Sequence, residues 1–295
     1  MAQLRELKGR IKAVGNIKRI TKTMQMIATA KFQAASRRAT QTKPYTQKVS
    51  EMVGELARAA GTDGQIEHPL LQTPDPATGR ELLLIITSNR GLCGAYNANV
   101  LRTAAALLKQ HSDTTFDLQI VGKKGLAFLR FNEYQIEQAH TDIGDEPTYA
   151  QVEALAREYI ARFTAGRYDA VRVAYMQFIS NARQMPQVMT LLPMTPPQAD
   201  EQDSDGSRGE VMYEFSPEPA EILAELLPVT LKTQLFQAFN DAVVSEQVAR
   251  MVAMKAATDN ADQMGRNLRR QFNRARQAQI TTELTEIVGG AAALE

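Results

Sequence analysis

Few residues of this chain carry side chains suited to chemistry, and their spacing decides what they can do. Ser88-Asn-Arg-Gly-Leu-Cys-Gly94 follows an apolar run and precedes a helical one, the place where phosphate-binding loops sit. It has neither the Gly-Lys-Ser/Thr ending nor the GxGxxG spacing, so a tight strand-to-helix turn of small residues is the favoured reading. Gly122-Lys-Lys-Gly125 offers a still weaker version of the same pattern. His68, His111 and His140 are scattered without ligand spacing and are expected at the surface. Cys93 has no nearby His and reads as small filler in a Gly turn. Asp142, Asp145 and Glu146 cluster in a turn, where solvated carboxylates are ordinary. No nucleophile–base pair or acid–base dyad emerges, so no catalytic residue, metal ligand or cofactor-binding residue is assigned.

The segments that must position these residues fall into two rhythms. From Pro219 to Ile287 the chain reads as one helix, and between Val229 and Glu286 the only Gly or Pro is Gly265. At about 1.5 Å per residue this is a rod of roughly 100 Å. A globule of 295 residues has a radius of only about 19 Å, so the rod is expected to project. The opening run, from about Gln3 to Ala59, places Leu4, Leu7, Ile11, Val14, Ile17, Ile20, Met24 and Ile27 at steps of three or four, with Pro44 expected to bend it. Two rods with narrow stripes bury them against each other, predicting an antiparallel coiled coil of the N- and C-terminal helices. Neither stripe keeps a strict seven-residue repeat.

Between them, Glu81–Thr87, Phe116–Val121, Tyr134–Gln138, Ala170–Phe178 and Gln187–Leu192 read as strands. Helices are expected over Asn97–Gln110, from the Gly122–Gly125 turn to Phe131, and over Tyr149–Thr164. This alternation predicts a central, Rossmann-like α/β domain of about five mainly parallel strands. The overall class is therefore α/β plus a long helical coiled coil. The expected segments are an N-terminal helix over 1–59, a connector over 60–79, the α/β domain over 80–195, an acidic loop over 196–217 and a C-terminal helix over 218–290.

A net charge of +1 conceals a strong asymmetry. Residues 1–50 hold 12 Lys and Arg against the single acid Glu6, and residues 200–225 hold nine acids against Arg208. Antiparallel pairing brings Arg5, Lys8, Arg10, Lys12, Lys18, Arg19 and Lys22 beside Arg266, Arg269, Arg270, Arg274 and Arg276, with no acid from Gln263 to Thr282. The two halves of this tip share one sign, which favours an acidic partner over a solvated face. The charge alone leaves protein and nucleic acid open. The chain then turns small and neutral through Ile280–Leu294, as a frayed end or a tip sliding in an apolar collar would. One cysteine excludes a disulfide framework, and no stretch of about 18 apolar residues crosses a membrane.

These residues resemble the gamma subunit of the rotary (F-type) ATP synthase over nearly the whole chain. The most specific piece is Ile280-Thr281-x-Glu283-x-x-Glu286-x-x-x-Gly290-Ala291-x-Ala293. Arg250–Asn260, Asn273-Arg-Ala-Arg-Gln277, Val14-x-Asn16, Ile20-Thr21-Lys22-x-Met24-x-Met26, Lys31 and Arg90-Gly-Leu-Cys-Gly94 are similar to family sequence as well. The resemblance implies a non-catalytic rotor shaft that couples ion-driven c-ring rotation to ATP synthesis or hydrolysis. Its implied partners are the alpha and beta subunits of the catalytic ring, the epsilon subunit and the membrane c-ring, with no nucleic acid. Arg276, Gln277 and Thr281 match positions that contact the catalytic subunit's catch loop, Met24 lies in the segment that meets its acidic lever, and Tyr213 and Glu214 fall in the foot region near the ring and epsilon. With a start that lacks the Ser enrichment of a transit peptide, peripheral placement on the cytoplasmic face of a bacterial plasma (inner) membrane is expected. The competing readings are a basic coiled coil that holds nucleic acid and a nucleotide-binding α/β protein using Arg90–Gly94.

Overall fold

The computed structural model describes residues 2–61, 68–72, 74, 77–195 and 219–292. The acidic loop, with Tyr213 and Glu214, and much of the expected connector therefore lie outside the described residues. Two compact units are formed, one from Met1–Ala30 with Arg250–Glu295 and one from Lys31–Ala249. Two long helices, α1 (Ala2–Gly61) and α5 (Pro219–Ala292), contribute to both, and each runs through a proline, Pro44 and Pro228 respectively.

The larger unit is built on β1 (Arg80–Ile86), whose sequence RELLLII is apolar on both faces after its first two residues. Such a strand belongs in the middle of a parallel sheet, where both faces are covered. It pairs in parallel with β2 (Thr115–Val121) and β4 (Ala170–Phe178), giving the order β3-β2-β1-β4-β5. Alternation along β1 sends Leu82, Leu84 and Ile86 to one core and Leu83 and Ile85 to the other. The first core is closed by α4 (Tyr149–Thr164), by Val53 and Leu56 of α1, and by Leu223, Leu227, Leu231 and Leu235 of α5. The second is closed by α2 (Tyr96–Gln110) and α3 (Lys123–Phe131). The antiparallel strand β5 (Gln184–Leu192) lies at the sheet edge, where Pro186 is tolerated because an edge N–H needs no partner.

The third strand differs from the sequence expectation of Tyr134–Gln138. It is β3 (Gln138–His140), which joins β2 only from Gln119 onward. Tyr134 and Ile136 instead turn into the core under α2 and α3, so their apolar character is spent on packing before the strand begins.

The smaller unit pairs the first part of α1 with the last part of α5. Val14 faces Gly265, Lys18 meets Asp262, and Thr21 meets Thr258, so partner numbers fall as α1 numbers rise and the pair is antiparallel. On α5 positions 254, 258, 261, 265, 268, 272 and 275 are buried or half-buried at alternating steps of four and three, with 253, 257 and 262 half-buried beside them. On α1 positions 4, 7, 11, 14, 21, 25 and 28 are buried or half-buried at such steps, with Met24 half-buried beside them and Lys18 exposed. The seam therefore follows the spacing of a coiled coil with a break at exposed Lys18, so the repeat is not strict. The expected apolar stripe of α1 leaves this seam for a geometric reason. Successive three-residue steps, as from Val14 to Ile17 to Ile20, each fall about 60° short of a full turn and leave the seam. Ile17, Ile20 and Ile27 are accordingly 51%, 58% and 53% exposed.

Candidate functional site

Two places could act on a partner or ligand. They are the loops at the carboxyl ends of the parallel strands in the larger unit and the paired helix segments of the smaller one.

The first is where open α/β sheets bind ligands, and helix N-termini there usually offer free N–H groups. Those of α3 are already taken by this chain. Lys123 N donates to Asn89 Oδ1 at 3.1 Å, Lys124 N to Ser88 O at 3.1 Å, and Gly125 N to Thr87 Oγ1 at 3.0 Å. Glycine is demanded twice for this close approach. Gly122 has φ +95°, and a Cβ there would lie 2.4 Å from the Thr87 carbonyl oxygen. At Gly125 a Cβ would lie 2.5 Å from both Thr87 Oγ1 and Ile120 Cδ1. The expected Gly122–Gly125 turn is thus the start of α3 itself, docked on the end of β1.

The Ser88–Gly94 loop is closed in the same way. Ser88 N donates to Asn97 Oδ1 at 3.0 Å, Ser88 Oγ donates to Arg90 O at 2.7 Å, and Asn97 Nδ2 reaches the buried Cys93 sulfur at 3.3 Å. Between the strand ends and α5, a cavity of about 20 Å³ remains, lined by Thr87, Asn89, Asp145, Phe239 and Glu246 among others. Sites for drug-sized ligands span about 300–1,000 Å³, so this one has room for a water and not for a nucleotide. Among the described residues, no group of three His, Cys, Asp or Glu could hold a metal.

Two expectations about polar residues are corrected here. His140 is buried rather than at the surface, with Nε2 3.0 Å from Gln119 Oε1, which also accepts from Tyr159 Oη at 2.8 Å. Burial lowers the His140 pKa, against opposing pulls from Asp142 and Glu158. Asp145 is not merely solvated, because it is half-buried and pairs with Lys31 at 2.6 Å, whereas Glu146, paired with Arg38 at 3.3 Å, stays exposed as expected. Sequence separations of more than a hundred residues hid both pairs from local reading.

The second place carries an excess of cations. Over residues 2–30 and 250–292, fourteen Lys and Arg face five Asp and Glu, so internal pairing cannot neutralise the surface. Arg5, Lys8, Arg10, Lys12, Lys18, Arg19 and Lys22 on α1 are exposed, as are Arg266, Arg269, Arg270, Arg274 and Arg276 on α5. Gln277 and Thr281 are exposed too, while Met24 is half-buried. Asp262 bonds to both Lys18 and Arg266, and Glu6 to Arg10 at 2.6 Å, so three of these cations have an acid of their own unit beside them. The bond from Lys18 holds the Asp262 carboxyl below the ordinary carboxylate range. Asp262 escaped notice because it stands one residue before the acid-free stretch that begins at Gln263.

Within the seam, Thr258 Oγ1 donates to Thr21 Oγ1 at 2.8 Å, and Thr21 Oγ1 in turn donates to the Ile17 carbonyl at 3.0 Å. This polar layer ties the register of the two helices, a use of buried polar groups known from coiled coils. With register set, the outward face of α1 mixes Ile17, Ile20 and Ile27 with Lys18, Arg19 and Lys22. A surface of this kind suits a protein partner that has both apolar and acidic groups.

Comparison with known proteins fits this architecture. The family pattern described as ATP synthase matches residues 3–294. An ATP synthase gamma chain from Rhodopirellula baltica is 43% identical over 300 residues, covering 100% of both chains. One from an Exiguobacterium species is 41% identical over 298 residues, again with 100% of each covered. Among solved structures, a chain of the Euglena gracilis mitochondrial ATP synthase OSCP/F1/c-ring assembly superposes with a TM-score of 0.65 at 20% identity, over 99% of this chain and 95% of that one. That likeness extends to the fold, with its five-stranded sheet and two long terminal helices, while the family rests on the full-length sequence identities. The chain belongs to the ATP synthase gamma chain family.

Proposed function

We propose that this chain is the central rotor shaft of an ATP synthase, coupling ion-driven rotation of the c-ring to ATP synthesis and hydrolysis in the catalytic ring. It is a non-catalytic subunit, and the chemistry belongs to its partners. The observation that carries the reading is the combination of full-length kinship to gamma chains with an antiparallel helix pair whose outer face is apolar and cationic. The nucleotide-binding alternative loses its support because α3 and α5 fill the site it would need.

The partners are the alpha and beta subunits of the catalytic ring, the epsilon subunit and the c-ring. In this reading Arg276, Gln277 and Thr281 contact the catalytic subunit's catch loop, and Met24 with the neighbouring basic residues meets its acidic lever. Tyr213 and Glu214 serve the foot near the ring and epsilon. Arg5, Lys8, Lys12, Lys18, Lys22, Arg266, Arg269, Arg270 and Arg274 act collectively, since exposed pairs give only about 0.2–1 kcal/mol each. Coupling between shaft angle and site affinity is reciprocal, so hydrolysis turns the shaft backwards. No helix among the described residues is long and apolar enough to cross a membrane. The placement is peripheral, on the cytoplasmic face of a bacterial plasma membrane.

The test is to tag the chain in its source, solubilise membranes gently and assay the eluate for subunit stoichiometry and ATPase activity. One copy per three catalytic subunits, with activity present, is the expected result. A lone chain, or one that brings down nucleic acid without ATPase, refutes the reading.

A further inference from the structure

Lys31 and Arg38 stand two turns apart on one face of α1, and both reach consecutive acids of the loop between β3 and α4. Lys31 Nζ lies 2.6 Å from Asp145 Oδ2, and Arg38 Nη2 lies 3.3 Å from Glu146 Oε1. The Asp145 side chain is only 16% exposed, so the first pair is partly shielded from water and salt. The loop that carries the acids is itself fastened. Ile143 is buried, its carbonyl accepts from Asn89 Nδ2 at 2.9 Å, and the same Asn89 accepts from Lys123 N at the start of α3. Downstream, Thr148 and Gln151 form a capping box that opens α4. The charges on α1 are thus connected to the central strand and to two helices on opposite faces of the sheet.

The apolar contacts of this part of α1 are of another kind. Ala35 and Ala39 pack on Val244, with Phe32 and Phe178 beside them. Ala35, Ala39 and Val244 interlock little, so their non-directional contact resists separation more than turning of the helix about its axis, and Phe32 on Phe178 adds one larger contact. Two ion pairs on one face, two turns apart, do oppose it, because rotation carries the cations away from fixed acids.

We propose that the Lys31–Asp145 pair, seconded by Arg38–Glu146, is a torque clamp that fixes the rotational setting of α1 against the α/β sheet during turnover. Lys31 and Asp145 are positioning residues in this scheme, and the inference rests on the rotor reading above. Under load the clamp carries the twist between sheet and helix, and without it α1 yields before the twist is delivered.

The test uses the assembled complex in inverted membrane vesicles, with ATP hydrolysis and NADH-driven ATP synthesis measured side by side. Lys31→Asp and Asp145→Lys each keep hydrolysis within about twofold while synthesis falls about tenfold, the scale of coupling energies between contacting charges. The exchanged pair, Lys31→Asp with Asp145→Lys, restores most of the synthesis. Lys31→Met, which keeps the apolar stem, guards against misfolding, and amide exchange over residues 141–148 in the complex quickens about tenfold in it. Unchanged synthesis in both single variants, or an exchanged pair no better than either, overturns the clamp. Failure of the unaltered chain to co-purify with ATPase activity overturns the rotor reading instead, so the two failures are distinct.

Discussion

Adding one methyl group at two glycines has opposite consequences in this chain, and the sign at each follows from the space around it. At Gly265, inside α5, a Cβ would lie 3.8 Å from Val14 Cγ1, ordinary van der Waals contact across the helix pair. Gly265→Ala therefore gains the helix-interior preference of Ala over Gly, about 0.5–1 kcal/mol, and adds a contact without strain. At Gly122 the backbone has φ +95° and ψ +140°, and the new Cβ would lie 2.4 Å from the Thr87 carbonyl oxygen and 2.7 Å from its carbon. Neither atom can yield, because Thr87 N is itself hydrogen-bonded to Val121 O at 2.9 Å as the sheet closes. The unfavourable φ costs of order 1–3 kcal/mol and the overpacking about 1–3 more, so Gly122→Ala loses about 2–6 kcal/mol. Urea unfolding, compared at constant slope, reads both differences as shifts in midpoint. A lower midpoint for Gly265→Ala would refute the antiparallel register that sets Val14 opposite residue 265. A Gly122→Ala variant within about 1 kcal/mol of the parent would refute the docking of α3 on the end of β1.

Further outcomes follow from particular contacts. His140 is buried with its pKa lowered, chiefly by desolvation, so the unfolded chain takes up a proton that the folded chain declines. Stability is expected to fall as pH drops below about 6.5, the ordinary imidazole value. Unfolding midpoints at several pH values should show that decline, and His140→Gln should flatten it. Thr258→Val removes the donor to Thr21 across the seam and should cost about 1 kcal/mol in the same assay, leaving Thr21 its bonds to its own helix. Arg276→Ala combined with Gln277→Ala changes two exposed residues, so stability should stay within about 0.5 kcal/mol while coupled ATP synthesis drops. Normal synthesis in that double variant would remove those residues from the catalytic contact.

Much of the architecture was legible along the chain because its signals are local. Helix period, the absence of breakers from Val229 to Glu286, and short apolar runs bounded by Gly-bearing turns depend on neighbours within a few residues. So did the family kinship carried by Ile280–Ala293 and the basic motifs. Three-dimensional facts decided the rest. Which three- and four-residue steps follow the seam depends on the partner helix, and this turned Ile17, Ile20 and Ile27 outward while Thr21 and Ala28 faced inward. The burial of His140 depends on Gln119 and Tyr159, and the pairing of Asp145 on Lys31, 114 residues away. Whether the α3 N-terminus could hold a phosphate depended on Thr87, Ser88 and Asn89 arriving from another strand's end. Periodicity and propensity act over a few residues and leave their mark in sequence; burial and partner choice are properties of surfaces that meet only on folding, and no single segment encodes them.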